Sequence, residues 1–205
     1  MIEKVKIGNE DAFRTREGKL YYSRIVGGLA WPFGEKPGFL VVIAEDFKED
    51  SALNARPLRV LAEREALDLE EMARRYQELL EAFKAAPWIG DPKNTPLMHY
   101  FRARVPGFSL SYAPHYDDPH NLQGYAQLVR TLCAENRKIL HIGDHDRIRG
   151  NLAALPTGDL KNPAAEFPPL AALGYAVAHL FYNKKVRVRT VTEMMEIFCL
   201  NHGRV

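Results

Sequence analysis

The chain has 205 residues and a formal net charge of +2, from 28 Lys and Arg against 26 Asp and Glu. So small a charge does not by itself identify a nucleic-acid-binding protein, and 46% apolar with 26% charged residues is ordinary for a globular domain. Cys133 and Cys199 lie in apolar, helix-like segments, which predicts reduced core residues and excludes a disulfide framework.

The amino-terminal residues carry no targeting pattern. Residues 1–18 are polar with mixed charge and predict a loosely attached lead-in. Residues 1–4 lack the apolar stretch of a signal peptide, and no run of eighteen apolar residues occurs. We therefore expect a cytoplasmic protein without a membrane partner.

Three strand-like runs follow in order. Residues 20–30 are rich in Tyr, Ile and Val, and residues 39–44 form a continuous apolar run, as expected for a strand covered on both faces. Between them, residues 32–38 hold two prolines and two glycines and predict a hairpin-like turn. After a polar loop over residues 46–57, residues 58–63 predict the third strand.

The period then changes to that of a helix. Apolar residues recur at helical spacing from Leu69 to Phe83. Asp68 stands three residues before Glu71, the spacing of an N-cap and its capping-box partner, so a helix is predicted over residues 68–84. A short buried strand is predicted at residues 88–90. A helix between two strands is the crossover that makes a parallel pair.

The second half alternates short strands and helices. The patterns predict strands at 108–112 and 139–142, helices at 122–135, 146–155 and 168–182, a basic alternating stretch at 184–189 and an amphipathic segment around 194–200. The order predicts the α/β class: a ribonuclease H-like mixed sheet, with an antiparallel three-strand meander plus parallel strands, flanked by helices. Three parts are expected: the lead-in 1–18, the domain 19–183 and a basic C-terminal extension 184–205.

The order of elements and three motifs resemble the nuclease domain of phage large terminase subunits, over most of the chain. In that family a strand ends in Gly, an apolar residue and Asp. Residues 28–32 (GLAWP) match this motif, with Ala30 at the Asp position. A later strand of the family ends in an acid, commonly before Pro or a small residue. Residues 89–92 (IGDP) match it with Asp91 intact.

The third motif is a late helix whose first turns carry acids before an Ala-Leu-x-Tyr-Ala segment. Residues 171–176 (AALGYA) match its apolar part, with Ala171 at the acid position. The resemblance implies a two-metal nuclease, in which two divalent ions roughly 4 Å apart activate water and stabilise the leaving oxygen. Mg²⁺ or Mn²⁺ needs several oxygen ligands, and this chain keeps Asp91 but lacks carboxylates at Ala30 and Ala171.

We therefore interpret the chain as a catalytically degenerate phage or prophage domain. Its expected partner is double-stranded DNA or a phage or host protein, and no cofactor is expected. Asp91 is the retained catalytic acid and the remaining metal ligand. The alternative is an active endonuclease that uses Mg²⁺ or Mn²⁺ with relocated carboxylates around Asp91.

Six other acids are candidates for relocated ligands: Glu45, Asp46, Glu63, Glu65, Asp117 and Asp118. The first two end the second strand, which runs antiparallel to the first, so they lie away from Ala30. The next two end the third strand at the correct edge, but two strands from the first, or about 10 Å. The last two lie on a loop that the sequence pattern does not place.

A third hypothesis is an unrelated metallohydrolase built on residues 115–120 (HYDDPH) and 141–146 (HIGDHD). The same residue types beside Pro and Gly also serve as turn residues and helix caps, with Asp118 or Asn121 before one helix and Asp144 or Asp146 before the next. Residues 28–36 lack the spacing of a phosphate-binding loop, so no nucleotide partner is expected.

Basic residues supply the candidate nucleic-acid contacts. The C-terminal set consists of Lys184, Lys185, Arg187 and Arg189, which either contact a phosphate backbone or form the solvated face of a strand. Five further arginines are candidates for extending a basic face: Arg102, Arg104, Arg130, Arg147 and Arg149. Trp31 and Trp88 flank the presumed site, where the choice lies between base stacking and packing, and packing is favoured.

Overall fold

A computed structural model describes residues 2–18, 20–51, 55–112, 129–133, 139–154 and 166–182. The strands are β1 (Ile2–Ile7), β2 (Glu10–Thr15), β3 (Tyr21–Ala30), β4 (Gly38–Asp46), β5 (Leu58–Ala66), β6 (Trp88–Gly90), β7 (Ser111–Tyr112) and β8 (Leu140–His141). The helices are α1 (Leu69–Phe83), α2 (Thr95–Arg104), α3 (Asp146–Ala154) and α4 (Pro168–Tyr182), and residues 129–133 are also helical. The elements predicted at 184–189 and 194–200 lie outside the described residues.

The sheet is mixed, as predicted. Strands β3, β4 and β5 form an antiparallel meander, with Ala30 opposite Phe39 and Gly38 opposite Ala66. Strand β6 pairs parallel to β3, β7 parallel to β6, and β8 parallel to β5. The carboxyl ends of β3, β5, β6, β7 and β8 therefore share one edge of the sheet, called the carboxyl edge below. The predicted fold class is confirmed.

The amino-terminal residues correct one expectation. Instead of a loosely attached lead-in, β1 and β2 form a hairpin whose second strand pairs with the start of β3. Ile2 is buried, and the partly buried Phe13 packs beside Tyr22 in the same hydrophobic cluster. Apolar residues are too sparse here for the pattern to predict a strand, so tertiary packing decides the structure. The predicted boundaries at 18 and 183 stay predictions.

Helices cover both faces of the meander. Along β4, Leu40, Val42 and Ala44 face the layer that contains α1 and α2. Phe39, Val41 and Ile43 face the layer that contains α3 and α4. All of these side chains are buried, so the prediction of a strand covered on both faces is confirmed.

Helix α1 begins as its sequence predicts. The Asp68 carboxylate accepts a hydrogen bond from the Glu71 amide at 2.8 Å, and the Glu71 carboxylate accepts one from the Leu67 amide at 3.0 Å. Helix α2 was not predicted. Asn94 caps it by accepting from the Leu97 amide at 3.4 Å, and a proline lies in its first turn. Asn followed by Pro two residues later was the available signal.

Gly28 allows α4 to lie directly on the sheet. A Cβ atom at Gly28 would stand 2.0 Å from the carbonyl oxygen of Ala172 and 3.0 Å from Val41 Cγ1. The backbone of the helix is therefore in contact with the backbone of β3, and only glycine fits. Small side chains on α4, including Ala171 and Ala172, permit the same approach.

A partly buried ion pair holds the other end of α4. Arg24 donates to the Glu45 carboxylate from Nε at 3.1 Å and from Nη2 at 3.2 Å, and Ser23 Oγ donates to it at 2.7 Å. Arg24 Nη2 also donates to the carbonyl oxygen of Leu180 at 3.1 Å, near the carboxyl end of the helix. Burial lowers the pKa of His179, and the nearby Arg24 guanidinium lowers it further.

We predict opposite effects of alanine at two glycines. Gly28→Ala places a methyl group on the backbone of α4, so the free energy of unfolding should fall by about 1–3 kcal/mol. A Cβ atom at Gly150, inside α3, would meet no heavy atom within 4 Å, so Gly150→Ala should raise stability by about 0.5–1 kcal/mol. Urea unfolding measures both. Equal effects of the two substitutions would contradict the close approach at Gly28.

Candidate functional site

The three motif positions come together at the carboxyl edge. Gly28 of β3 is in register with Ile89 of β6, and Ala30 and Asp91 each stand two residues further along these parallel neighbours. Helix α4 packs against both strands, and Ala171 lies in its first turn. The three positions therefore lie on neighbouring elements at one edge of the sheet, and their roles as ligand positions stay predictions.

Both alanines belong to the apolar core. Ala30 is 3% exposed and Ala171 is 4% exposed, and they lie in one hydrophobic cluster with Phe39 and Ile89. A carboxylate at either position would have to be buried among these side chains. An ionised group costs several kcal/mol or more in such surroundings unless a cation accompanies it.

Asp91 is half-buried and serves the turn that follows β6. Its Oδ1 accepts a hydrogen bond from the backbone amide of Lys93 at 2.8 Å, the geometry of an Asx turn. Its carbonyl oxygen accepts from Trp31 Nε1 at 2.7 Å. The indole of Trp31 thus ties the end of β3 to the end of β6, a contact that the sequence motifs did not indicate.

Both tryptophans pack in the core. The Trp31 ring meets Phe101 edge-on with centroids 5.0 Å apart, and it meets Phe108 at 6.3 Å. Trp88 is 2% exposed and packs on Tyr76 with centroids 4.6 Å apart. The interpretation of packing over base stacking is confirmed.

The acids nearest the carboxyl edge have other partners. The Glu63 carboxylate accepts from the backbone amides of Arg147 at 3.3 Å and Ile148 at 3.2 Å, so it caps the start of α3. Glu65 forms an ion pair with the Arg147 guanidinium. Glu65 is opposite Phe39, which is opposite Ala30, so it lies two strands from the first motif as expected.

The remaining candidate acids lie elsewhere. Glu45 is bound to Arg24 at the opposite end of β3, away from Ala30, as predicted. Asp46 accepts two hydrogen bonds from Arg59 Nε, at 2.9 and 3.0 Å, and one from Nη2 at 2.8 Å. Asp117 and Asp118 lie outside the described residues.

The residues at the motif positions do not fit a pair of divalent ions. Two Mg²⁺ or Mn²⁺ ions need several oxygen ligands, and the three motif positions supply one half-buried carboxylate and two buried methyl groups. Within the ranges that the structure describes, no three or more His, Cys, Asp or Glu side chains are grouped so as to hold a metal ion.

The second His/Asp segment leads through a turn into α3, whose first amides are capped by Glu63 and not, as predicted, by Asp144 or Asp146. His145 contacts the carbonyl oxygen of Val60 through Nε2 at 3.1 Å, and its own carbonyl accepts from the Arg149 amide as α3 begins. Asp146 occupies the first turn of that helix, while His141 and Asp144 are exposed. Residues 115–120 lie outside the described residues, so the pairing of the two segments in a metallohydrolase stays a prediction.

A groove of about 320 Å³ opens between the β3–β4 hairpin, α3 and the start of α4, and none of the three motif residues lines it. Its polar wall carries both signs of charge, from Lys36, Glu65, Asp146, Arg147 and Glu166. Lys36 Nζ donates to the carbonyl oxygen of Glu166 at 3.0 Å, which closes the β3–β4 hairpin onto the start of α4. The mixed charges favour neither an anionic nor a cationic ligand.

We predict that two Trp→Phe substitutions separate the hydrogen bond from packing. Trp31→Phe removes the bond to the Asp91 carbonyl and should lower the free energy of unfolding by about 1 kcal/mol beyond its packing loss. Trp88 is the matched control, because its buried Nε1 has no hydrogen-bond partner among the described residues. Chemical denaturation compares the two variants. A loss for Trp31→Phe no larger than its packing loss alone would contradict the role of this hydrogen bond.

Comparisons with known proteins support the fold. No protein-family model matches the chain, and no curated protein matches it significantly. The chain is similar to the nuclease domain of g2p, the large terminase of bacteriophage SPP1, in a crystal structure with bound Mn. The TM-score is 0.54 with 14% sequence identity, covering 83% of this chain and 92% of that one.

A second similar structure is RuvC from Thermus thermophilus, with a TM-score of 0.39 and 16% identity over 77% of this chain and 94% of that one. Within the described residues, no helix has the length and apolar character needed to cross a membrane. The likeness to the SPP1 domain, together with the sheet topology, confirms the ribonuclease H-like fold and, at the level of fold, the resemblance to phage terminase nuclease domains.

Proposed function

We propose that the chain is a terminase-nuclease-like domain that has lost metal-dependent cleavage and acts as a DNA-binding module. The observation that carries the proposal is the burial of Ala30 and Ala171 in one apolar cluster beside Asp91. A cleavage site of this kind would need carboxylates where these methyl groups lie.

Electrostatics supports the loss of cleavage. Two divalent ions bring four positive charges, and a single carboxylate leaves most of that charge uncompensated. The Asp91 carboxylate is also engaged in its own turn by the Lys93 amide. The Glu63 and Glu65 carboxylates are bound to α3, so they are poor replacements.

DNA is the partner that we favour. The similar SPP1 domain is a terminase nuclease, and loss of two acids from the same edge would remove negative charge that repels phosphate. Lys184, Lys185, Arg187 and Arg189 lie outside the described residues and are proposed as further backbone contacts. A phage or host protein is the other partner considered, and we propose a cytoplasmic location.

The alternative is an active endonuclease with relocated carboxylates and Mg²⁺ or Mn²⁺. Glu65 favours it in one respect, because it lies in the same cross-strand row as Ala30. Its ion pair with Arg147 and its two-strand separation from Ala30 argue against it. A plasmid cleavage assay with Mn²⁺ or Mg²⁺ distinguishes the DNA-binding module from the active endonuclease.

We predict that the purified chain does not cut plasmid DNA with Mn²⁺ or Mg²⁺. Gel electrophoresis should give the same background for the native chain and for Asp91→Asn, which keeps the Asx turn. Calorimetric titration with Mn²⁺ should detect no tight site, because one carboxylate cannot bind two ions. Robust cleavage that Asp91→Ala abolishes would rule out the proposed function.

We predict that acids restored at both motif positions recreate a cation-sensitive site. Ala30→Asp with Ala171→Asp buries two carboxyl groups, whose pKa values should rise by desolvation. Stability should then fall as pH rises from about 4 to 8, because the unfolded state loses protons before the folded state does. Mn²⁺ should restore part of the loss at pH 8 in thermal unfolding. No response to Mn²⁺ would contradict the assignment of Ala30 and Ala171 as ligand positions.

A further inference from the structure

Residues 92–112 form a segment without acidic residues, called the basic segment below. It runs from the turn after β6 through α2 to the end of β7 and contains Lys93, Arg102 and Arg104. Its formal charge is +3 while that of the whole chain is +2, so the other residues sum to −1. The positive charge of the chain is thus unevenly distributed.

The core holds α2 in a fixed orientation. Met98 is 4% exposed and Phe101 is fully buried, and the Phe101 ring packs against Trp31 with centroids 5.0 Å apart. His99, Arg102 and Arg104 are exposed. The helix therefore presents its cations to solvent from a rigid support.

The arginines of α2 differ from those of α1. On α1, Arg74 and Arg75 each form ion pairs with Glu71 and Glu78, at distances of 2.6 to 3.5 Å. In the part of the chain that the structure describes, no carboxylate lies within ion-pair distance of Arg102 or Arg104. Their charge is not neutralised within the described fold.

Aromatic rings support two cations of the basic segment. The Arg104 guanidinium lies 3.6 Å from the centroid of the Tyr100 ring, and Lys93 Nζ lies 6.0 Å from that of Tyr112. Stacking occupies a face of the guanidinium and leaves the N–H groups at its edge for an anion. A planar guanidinium with parallel N–H groups matches the oxygens of a phosphate.

Cations in the last turn of a helix also stabilise its dipole, by about 0.3–1 kcal/mol each. That effect accounts for the position of Arg102 and Arg104 but not for Lys93, which precedes the helix, or for the absence of acids over the whole segment. The dipole effect acts on stability. Contact with a polyanion acts on the salt dependence of binding.

We propose that the exposed surface at the last turns of α2, through Arg102 and Arg104, binds the phosphodiester backbone of a nucleic acid without reading its sequence. The inference rests on the proposed DNA-binding function and assigns it a surface. Helix α2 begins four residues after Asp91 and extends about 15 Å. The proposed surface is therefore about one helix length from the turn that contains Asp91, and it requires no metal ion.

The test measures binding of the full chain to a fluorescent 20-base-pair duplex, and to one strand of it, from 50 to 200 mM KCl with EDTA. Each phosphate contact contributes about −0.9 for duplex, or −0.7 for single strands, to the slope of log affinity against log salt. Arg102→Ala should make the duplex slope shallower by about 0.9, and Arg102→Ala with Arg104→Ala by nearly twice that. Comparison of the duplex with the single strand identifies which form of nucleic acid binds.

Arg74→Ala is the matched control, because it removes the same charge from a helix whose arginines are already paired. For Arg74→Ala, the slope of log affinity against log salt should equal that of the native chain. Thermal unfolding of every variant tests the helix-dipole role, which would lower the melting temperature and leave the slope unchanged. Equal slopes for Arg102→Ala and Arg74→Ala would overturn the inference, as would an absence of nucleic-acid binding at 50 mM KCl. Binding of poly-glutamate alone would assign the surface to an acidic protein instead.

Failure of this inference is distinguishable from failure of the proposed function. EDTA removes divalent ions, so the binding measurement does not depend on cleavage. A chain that cuts DNA with Mn²⁺ and also shows the predicted slope change would overturn the loss of catalysis while supporting the α2 surface. A chain that binds DNA without any contribution from α2 would leave the binding function in place and overturn the surface.

Discussion

The contact between the backbone of α4 and that of β3 at Gly28 is the constraint on which the arrangement of the site depends. It lets the start of α4 approach the carboxyl edge, so Ala171 and Ala30 share one apolar cluster. At the far end of the helix, Arg24 is held by the Glu45 carboxylate and donates to the Leu180 carbonyl, which attaches the helix to β3. The site is thus positioned by main-chain contact and one ion pair, neither of which involves a catalytic group.

Acids near the carboxyl edge stabilise structure. Glu63 caps α3, Glu65 pairs with Arg147, and Asp91 accepts from the amide two residues after it. Each carboxylate meets N–H groups or a guanidinium, which satisfies its charge within the chain. A nuclease centre requires the opposite arrangement, in which several carboxylates converge and a metal ion supplies the compensation. The difference between the two arrangements lies in the partners of the acids as well as in their number.

Much of the fold could be predicted from local patterns, because residues 39–44 and the Asp68 cap carry strong period and capping signals. The order of the motifs also placed Ala30, Asp91 and Ala171 at one edge. The β1–β2 hairpin was missed because its strands are stabilised by packing of Ile2 and Phe13 that no local pattern encodes. The Trp31–Asp91 bond and the Glu63 cap could not be predicted, since each joins residues that are 60 or more positions apart.

The hydrogen bond from Trp31 uses the main-chain carbonyl of Asp91, so it does not involve the carboxylate that a metal ion would bind. Every residue type supplies a carbonyl oxygen there, so this bond does not depend on the side chain, whereas the turn at Lys93 uses the Asp91 carboxylate. The junction and a metal centre would therefore depend on different parts of the chain. The junction uses a main-chain acceptor, whereas a two-metal centre would use acidic side chains at Ala30 and Ala171, which are buried among apolar groups.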